Sequence, residues 1–163
     1  MKRCSWVKKN NPLYVAYHDL EWGIPLHDER ALFELLCLET YQAGLSWETI
    51  LNKRAAFRQA FHGYDVHQVV AMTDAELEGI LQNPAVVRNR RKIYATRANA
   101  QAFLKIQAEF GSFDYYLWSF VDFTLIDNPV KDYKQMPSKT PLSEKLAKDM
   151  KRRDFKFVGP VCV

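Results

Sequence analysis

Long hydrophobic runs are missing from this sequence. No apolar stretch approaches the ~18 residues that a membrane span requires, so no membrane partner is expected. The basic start, Met1-Lys2-Arg3, is followed by Lys8, Lys9 and Asn10, where a secretory signal would need its apolar stretch. Glycine and proline are scarce, at six and seven residues, which excludes a collagen-like or low-complexity chain. Cysteine occurs three times, as Cys4, Cys37 and Cys162, widely spaced and odd in number. A disulfide framework is not expected, and a reducing cytoplasm is the expected compartment. No C-x-x-C, H-x-x-x-H, glycine-rich phosphate loop or internal repeat of about 20–50 residues is present, which removes the common zinc, nucleotide and solenoid signatures. Neither sign of charge dominates. The 23 Lys and Arg against 19 Asp and Glu leave a net charge of +4, which permits a polyanionic partner without demanding one.

What is present fits one globular domain over residues 1–163. Hydrophobic residues make up 48% and charged residues 26% of the chain, enough apolar material for a core without staples. The pattern is helical almost throughout, and the expected fold class is all-α. Asp28 can cap a helix with Leu32, Leu35, Leu36 and Glu39 on one face. Ser46 can cap another, with Trp47, Ile50, Leu51, Phe57 and Phe61 inward and Gly63 just past its end. Asp65 with Gln68, and Thr73 with Glu76, have capping-box spacing. A long helix is expected from about Arg88 to Phe110, with Ile93, Ala100, Phe103, Leu104 and Phe110 inward and Gly111 as its stop. Ser112 opens a short aromatic helix, and Thr140-Pro141 opens a last one. The stretch 122–139 reads as a long loop. Phe155-Lys156-Phe157-Val158 alternates like a strand but is too short to define a sheet.

Aromatic rings crowd the first 47 residues: Trp6, Tyr14, Tyr17, Trp22, Phe33, Tyr41 and Trp47. Two readings are open, a core of large rings or an aromatic-walled pocket for a flat ligand. Glu39 follows Leu32 by seven positions and Leu36 by three, so it projects from the apolar face of its helix. It is either a helix-end carboxylate that escapes to solvent or a pocket acid whose pKa is tuned by burial. The segment Tyr41-Gln42-Ala43-Gly44-Leu45-Ser46-Trp47 is either an ordinary interhelical turn or an exposed apolar wedge of the kind that fills a gap in unstacked DNA. Two basic clusters, Arg88 to Arg97 and Lys145 to Lys156, gather positive charge in patches, as phosphate binding requires. Cys4 and His18 are two candidate metal ligands, which do not by themselves close a tetrahedral zinc site.

Several strings resemble the 3-methyladenine DNA glycosylase I family. They are Cys4-Ser5-Trp6, Tyr17-His18-Asp19-Leu20-Glu21-Trp22-Gly23, Leu38-Glu39 and Gln42-Ala43-Gly44-Leu45-Ser46-Trp47. Others are Phe57-Arg58-Gln59-Ala60-Phe61, Arg88 with Lys92-Ile93, and Phe155 to Pro160, so the resemblance spans the chain. It implies a helix-hairpin-helix glycosylase superfamily fold and excision of 3-methyladenine from alkylated double-stranded DNA, with free 3-methyladenine as product. It implies that Glu39, the catalytic candidate, and Tyr17 hydrogen-bond the extruded base and that Trp47 stacks on it. Trp6, Tyr14 and Trp22 then line the pocket, and Gly44 with Leu45 plugs the duplex. It also implies zinc held by Cys4 and His18 together with a histidine and a cysteine near the family's C-terminus. Val161-Cys162-Val163 ends the sequence where the second hairpin helix is expected. That helix and the other two zinc ligands are therefore expected to be missing, which makes zinc doubtful here. Ala85 stands where the pattern suggests glycine, and a strained turn is expected if that position needs positive φ.

The enzyme so implied is a monomer and a monofunctional hydrolase without strand cleavage, since no distinctive lysine nucleophile is evident. The competing reading is a catalytically weak or inactive module that keeps the modified-base pocket.

Overall fold

The computed structural model describes residues 7–21, 27–42, 45–86, 89–120 and 140–158. Eight α-helices are found among them: α1 (Pro12–Leu20), α2 (Glu29–Tyr41), α3 (Trp47–Ala60), α4 (Val66–Val70), α5 (Asp74–Leu81), α6 (Arg90–Phe110), α7 (Phe113–Ser119) and α8 (Pro141–Arg152). No strand occurs among the described residues, so the all-α expectation holds there. No helix among them is long and apolar enough to cross a membrane.

Short polar side chains set most of the helix starts. Asp28, Ser46, Asn89 and Ser112 each accept a backbone N–H from the first turn of the helix they precede. Thr73 and Glu76 form a complete capping box, and Thr140 forms another with Ser143 ahead of Pro141. Asp65 accepts from His67 and Gln68 at the start of α4. α6 stops at Gly111, whose φ of +87° suits a residue without Cβ. α1 was not expected, although Asn11 caps it and Pro12 occupies its first position.

The 21-residue α6 is the central rod, packing against α2, α4, α5 and α7. Phe33, Phe57, Phe61, Tyr64, Phe103, Phe113 and Tyr116 fill the core around it. The inner face of α2 differs from the expected one. Phe33, Glu34, Cys37, Leu38 and Tyr41 are buried, while Leu35, Leu36 and Glu39 are partly covered. Glu34 can occupy a core position because two arginines meet it, as described below. On α6, Leu104 and Phe110 are likewise only partly covered, and Ile106 takes the deep position.

Polar contacts fix how the helices meet. The Glu29 carboxylate accepts from Gln107 Nε2 at 3.0 Å and from the backbone N–H groups of Phe113 and Asp114 at 2.6 and 2.8 Å, joining α2 to α6 and α7. Buried Lys92 donates to the Tyr41 carbonyl at 2.8 Å, satisfying an acceptor at the end of α2. The Tyr41 hydroxyl meets Thr96 Oγ1 at 2.7 Å.

Phe155 to Val158 forms no strand, in keeping with the all-α reading. Asp154 and Phe157 adopt φ of 73° and 60°, and buried Asn99 accepts the Lys156 N–H at 2.7 Å and donates to its carbonyl at 3.2 Å. Ala85 causes no left-handed strain; its φ is not positive, and the Asn83 side chain accepts its N–H at 2.9 Å. The first basic cluster is partly structural: Arg90 pairs with Glu78, Arg97 with Asp74, and Lys92 is buried. In the second, Asp149 takes Arg152 and Arg153, while Lys145, Lys148, Lys151 and Lys156 stay exposed. Arg88, the 122–139 stretch and the residues after 158 lie outside the described residues.

Candidate active site

A second, smaller apolar cluster forms where α1 lies on α3. Tyr14 and Tyr17, three positions apart, share one face of α1 and are each 8% exposed. They pack with Val7 and Leu51 and against Trp47. Ser46 caps α3, so Trp47 is its first residue and leans toward α1. The Tyr17 and Trp47 rings lie 5.1 Å apart at 59°. The indole N–H of Trp47 is buried and has no hydrogen-bond partner among the described residues. An orphaned buried donor costs about 1–3 kcal/mol.

Glu39 sits in the last turn of α2. Its side chain is partly covered, and burial pushes its carboxyl up to about 7. The group is therefore desolvated yet reachable. The Tyr17 phenol is pushed above its ordinary range by burial first, then by the negative charges of Glu39 and Glu21, with Arg54 opposing. Tyr17 consequently stays protonated at physiological pH and remains a hydrogen-bond donor. The negative charge of Glu39 is felt at Tyr17, and Tyr17 packs on Trp47. The set holds aromatic rings, a phenol donor and a tunable carboxylate. Such a set suits a flat, nitrogen-rich ring that carries positive charge or donates protons.

Leu45 is partly covered and packs against the main core. Its N–H donates to the Gln42 carbonyl at 2.8 Å, and Gln42 Nε2 donates back to the Leu45 carbonyl at 3.1 Å, closing the turn. Trp6, Trp22, Gly44 and Cys4 lie outside the described residues. His18 Nδ1 faces Asp19 Oδ1 at 3.0 Å, which favours the tautomer with a proton on Nδ1. Among the described residues no group of three or more His, Cys, Asp or Glu is placed to hold a metal ion. His18 is one of the two expected ligands, and the other, Cys4, lies outside the described residues.

One feature of the site escaped the sequence. Glu34, 6% exposed, is gripped by two arginines of α3. Arg54 donates to it from Nε and Nη2 at 2.9 and 2.6 Å, and Arg58 from Nε and Nη2 at 2.6 and 2.8 Å. Burial opposes ionisation of Glu34, but the hydrogen bonds from Arg58 and Arg54 outweigh it and hold the carboxyl below its ordinary range. Arg54 also reaches both oxygens of Glu21 at 2.7 and 2.9 Å. The available signal was a pair of arginines four residues apart, one helical turn, with no acid beside them on α3.

A crevice between α3 and α5, lined by Gln59, His62, Glu76 and Asn83 among others, touches none of Tyr14, Tyr17, Glu39 or Trp47.

Comparison with known proteins places the chain. The family profile described as methyladenine glycosylase matches residues 6–163. The chain is 43% identical over 159 residues to DNA-3-methyladenine glycosylase 1 of Escherichia coli (strain K12), covering 98% of this chain and 84% of that protein. A solved 3-methyladenine DNA glycosylase I superposes with a TM-score of 0.94 at 45% identity, covering 99% of this chain and 88% of that one. The enzyme of that name from Staphylococcus aureus, described for its recognition of 3-methyladenine, gives a TM-score of 0.94 at 39% identity, covering 99% and 86%. The chain belongs to the methyladenine glycosylase family.

Proposed function

We propose that this protein is a DNA-3-methyladenine glycosylase that excises the base from alkylated DNA and hydrogen-bonds it through Glu39 and Tyr17. The observation that supports the assignment of roles is the packed Tyr17–Trp47 ring pair, together with the desolvated carboxyl of Glu39, whose charge acts on Tyr17. Extrusion from the duplex costs a few kcal/mol, less for a poorly stacked, damaged base. Trp47 stacks on the extruded base, Tyr17 donates to it, and Glu39 accepts from its exocyclic amino group. Tyr14 walls the pocket.

Little further chemistry is asked of the protein. Methylation at the three-position leaves the base positively charged while it is attached to the sugar, so its glycosidic bond is already weakened. The bond between C1′ and the base nitrogen breaks, and its electron pair leaves with the base, which departs neutral. Water supplies the new C1′–O bond and releases a proton. Glu39 stabilises the cationic lesion in the pocket, which favours it over unmodified adenine.

Leu45 belongs to the duplex step. Leu45 lies just ahead of α3, two residues before the proposed stacking residue Trp47, and is only partly covered. We expect Leu45→Gly to impair excision from methylated duplex DNA while leaving binding of free 3-methyladenine close to wild type. Single-turnover release and calorimetric titration of the free base separate the two; equal losses in both would show that Leu45 only packs the protein. Calorimetry on the wild-type chain also tests the pocket itself. It should bind 3-methyladenine in preference to adenine, and equal affinity for the two bases would overturn the assignment.

A further inference from the structure

Three helices carry the proposed base contacts, and one guanidinium joins all three. Tyr14 and Tyr17 are on α1, Glu39 on α2 and Trp47 on α3. Arg54, on α3, holds Glu21 at the C-terminal end of α1 through both carboxylate oxygens and holds Glu34 on α2 through Nε and Nη2. Glu34 lies on the same rigid helix as Glu39, five residues earlier.

The attachment of α1 makes this link consequential. α1 packs on α3 through the small Tyr14, Tyr17 and Leu51 cluster. Its N-terminal end is tied down by Asn11, which donates to Glu48 and Asn52 at 3.1 and 3.0 Å. Its C-terminal end is tied by Glu21 to Arg54. Small errors at that end would move Tyr17 against both Trp47 and Glu39. A planar fork of five donors can serve two carboxylates in fixed directions; a lysine ammonium is a point charge and cannot. The arrangement is also electrically quiet. Glu21 and Glu34 offset the charges of Arg54 and Arg58.

We infer that Arg54 is a positioning residue for base recognition: by gripping Glu21 and Glu34 together it fixes the Tyr17–Trp47 pair relative to Glu39. The inference rests on the base-recognition reading given above. It assigns Arg54 no contact with the base.

The test uses the full chain and free 3-methyladenine, with affinity from calorimetry and thermal unfolding on the same samples. Glu21→Ala cuts only the more exposed arm of the clamp; the Glu21 side chain is 43% exposed, against 8% for Glu34. Its thermal midpoint should stay close to wild type while its affinity falls about tenfold, as expected for a displaced binding group. Arg54→Lys should lose affinity to a similar degree although it keeps the charge, because the two-carboxylate grip is lost. A merely structural salt bridge would lower the midpoint and leave affinity unchanged well below it. If wild type binds the base and both variants bind equally well, the positioning role is overturned and the glycosylase reading stands. If wild type does not bind the base, both fall.

Discussion

Glu39→Gln should lower kcat/KM on methylated duplex DNA by roughly 10- to 150-fold, the equivalent of a hydrogen bond to a charged group at about 1.5–3 kcal/mol. The loss should depend on pH. The Glu39 carboxyl is pushed up to about 7, so it is mostly neutral at pH 6 and mostly charged at pH 8. The lesion attached to DNA carries a positive charge with no proton to lose near neutrality. Wild-type kcat/KM should therefore rise through about pH 7 and level off above it, whereas Glu39→Gln should show no such rise. Matching profiles for the two proteins would remove Glu39 from base recognition.

The same substitution should act on stability with the opposite sign. Burial raises the Glu39 carboxyl from its ordinary 4.5 to about 7 in the folded chain. The unfolded chain binds fewer protons than the folded chain between those values, so the wild type loses stability as pH rises from 4.5 to 7 and stays level above. Glutamine stands in for the protonated acid and has nothing to ionise. Glu39→Gln should thus unfold at a higher temperature than wild type above pH 7, and the advantage should vanish below about pH 4.5. A pocket that keeps a desolvated carboxylate for its ligand gives up folding free energy to do so.

Trp47→Ala should weaken binding of free 3-methyladenine by about 5- to 150-fold, given about 1–3 kcal/mol for a base stacked on an aromatic ring. Because Trp47 also packs on Tyr17, the truncation should lower thermal stability as well. Trp47→Phe separates the two effects. It keeps a ring for stacking and removes the buried N–H that has no partner among the described residues. Free of ligand, Trp47→Phe should be at least as stable as wild type, since an orphaned donor is gone. Its affinity should stay close to wild type, because the ring that stacks on the base is kept and an in-plane N–H does not bond a base stacked on its own ring. Full affinity in Trp47→Ala, measured by calorimetry, would show that the base does not stack there.

What could be read from the sequence follows the range over which each interaction acts. Caps were legible because donor and acceptor lie within three residues: Asp28, Ser46, the Thr73 and Glu76 box, Ser112 and Thr140 all open helices where the spacing puts them. Gly111 ended α6 as expected. The inner face of α2 was misplaced because Glu34 occupies a deep position, and what makes that tolerable is Arg54 and Arg58, 20 and 24 residues away. The basic cluster near Arg90 was overvalued for the same reason, since Lys92 answers a carbonyl 51 residues earlier. Glu39, Tyr17 and Trp47 were legible as unusual residues from pattern and resemblance, but their convergence is not a local property. It depends on how α1 and α2 each pack on α3.

The most direct test of the account is the product released when this chain acts on methylated duplex DNA. Chromatography with mass detection of the released bases, and gel analysis of the DNA strands, should show 3-methyladenine appearing with the strands left uncut at the vacated sites. Release should fall sharply for Glu39→Gln at pH 8. Absence of 3-methyladenine from the products of the folded wild-type chain, or equal release by Glu39→Gln, would contradict the account.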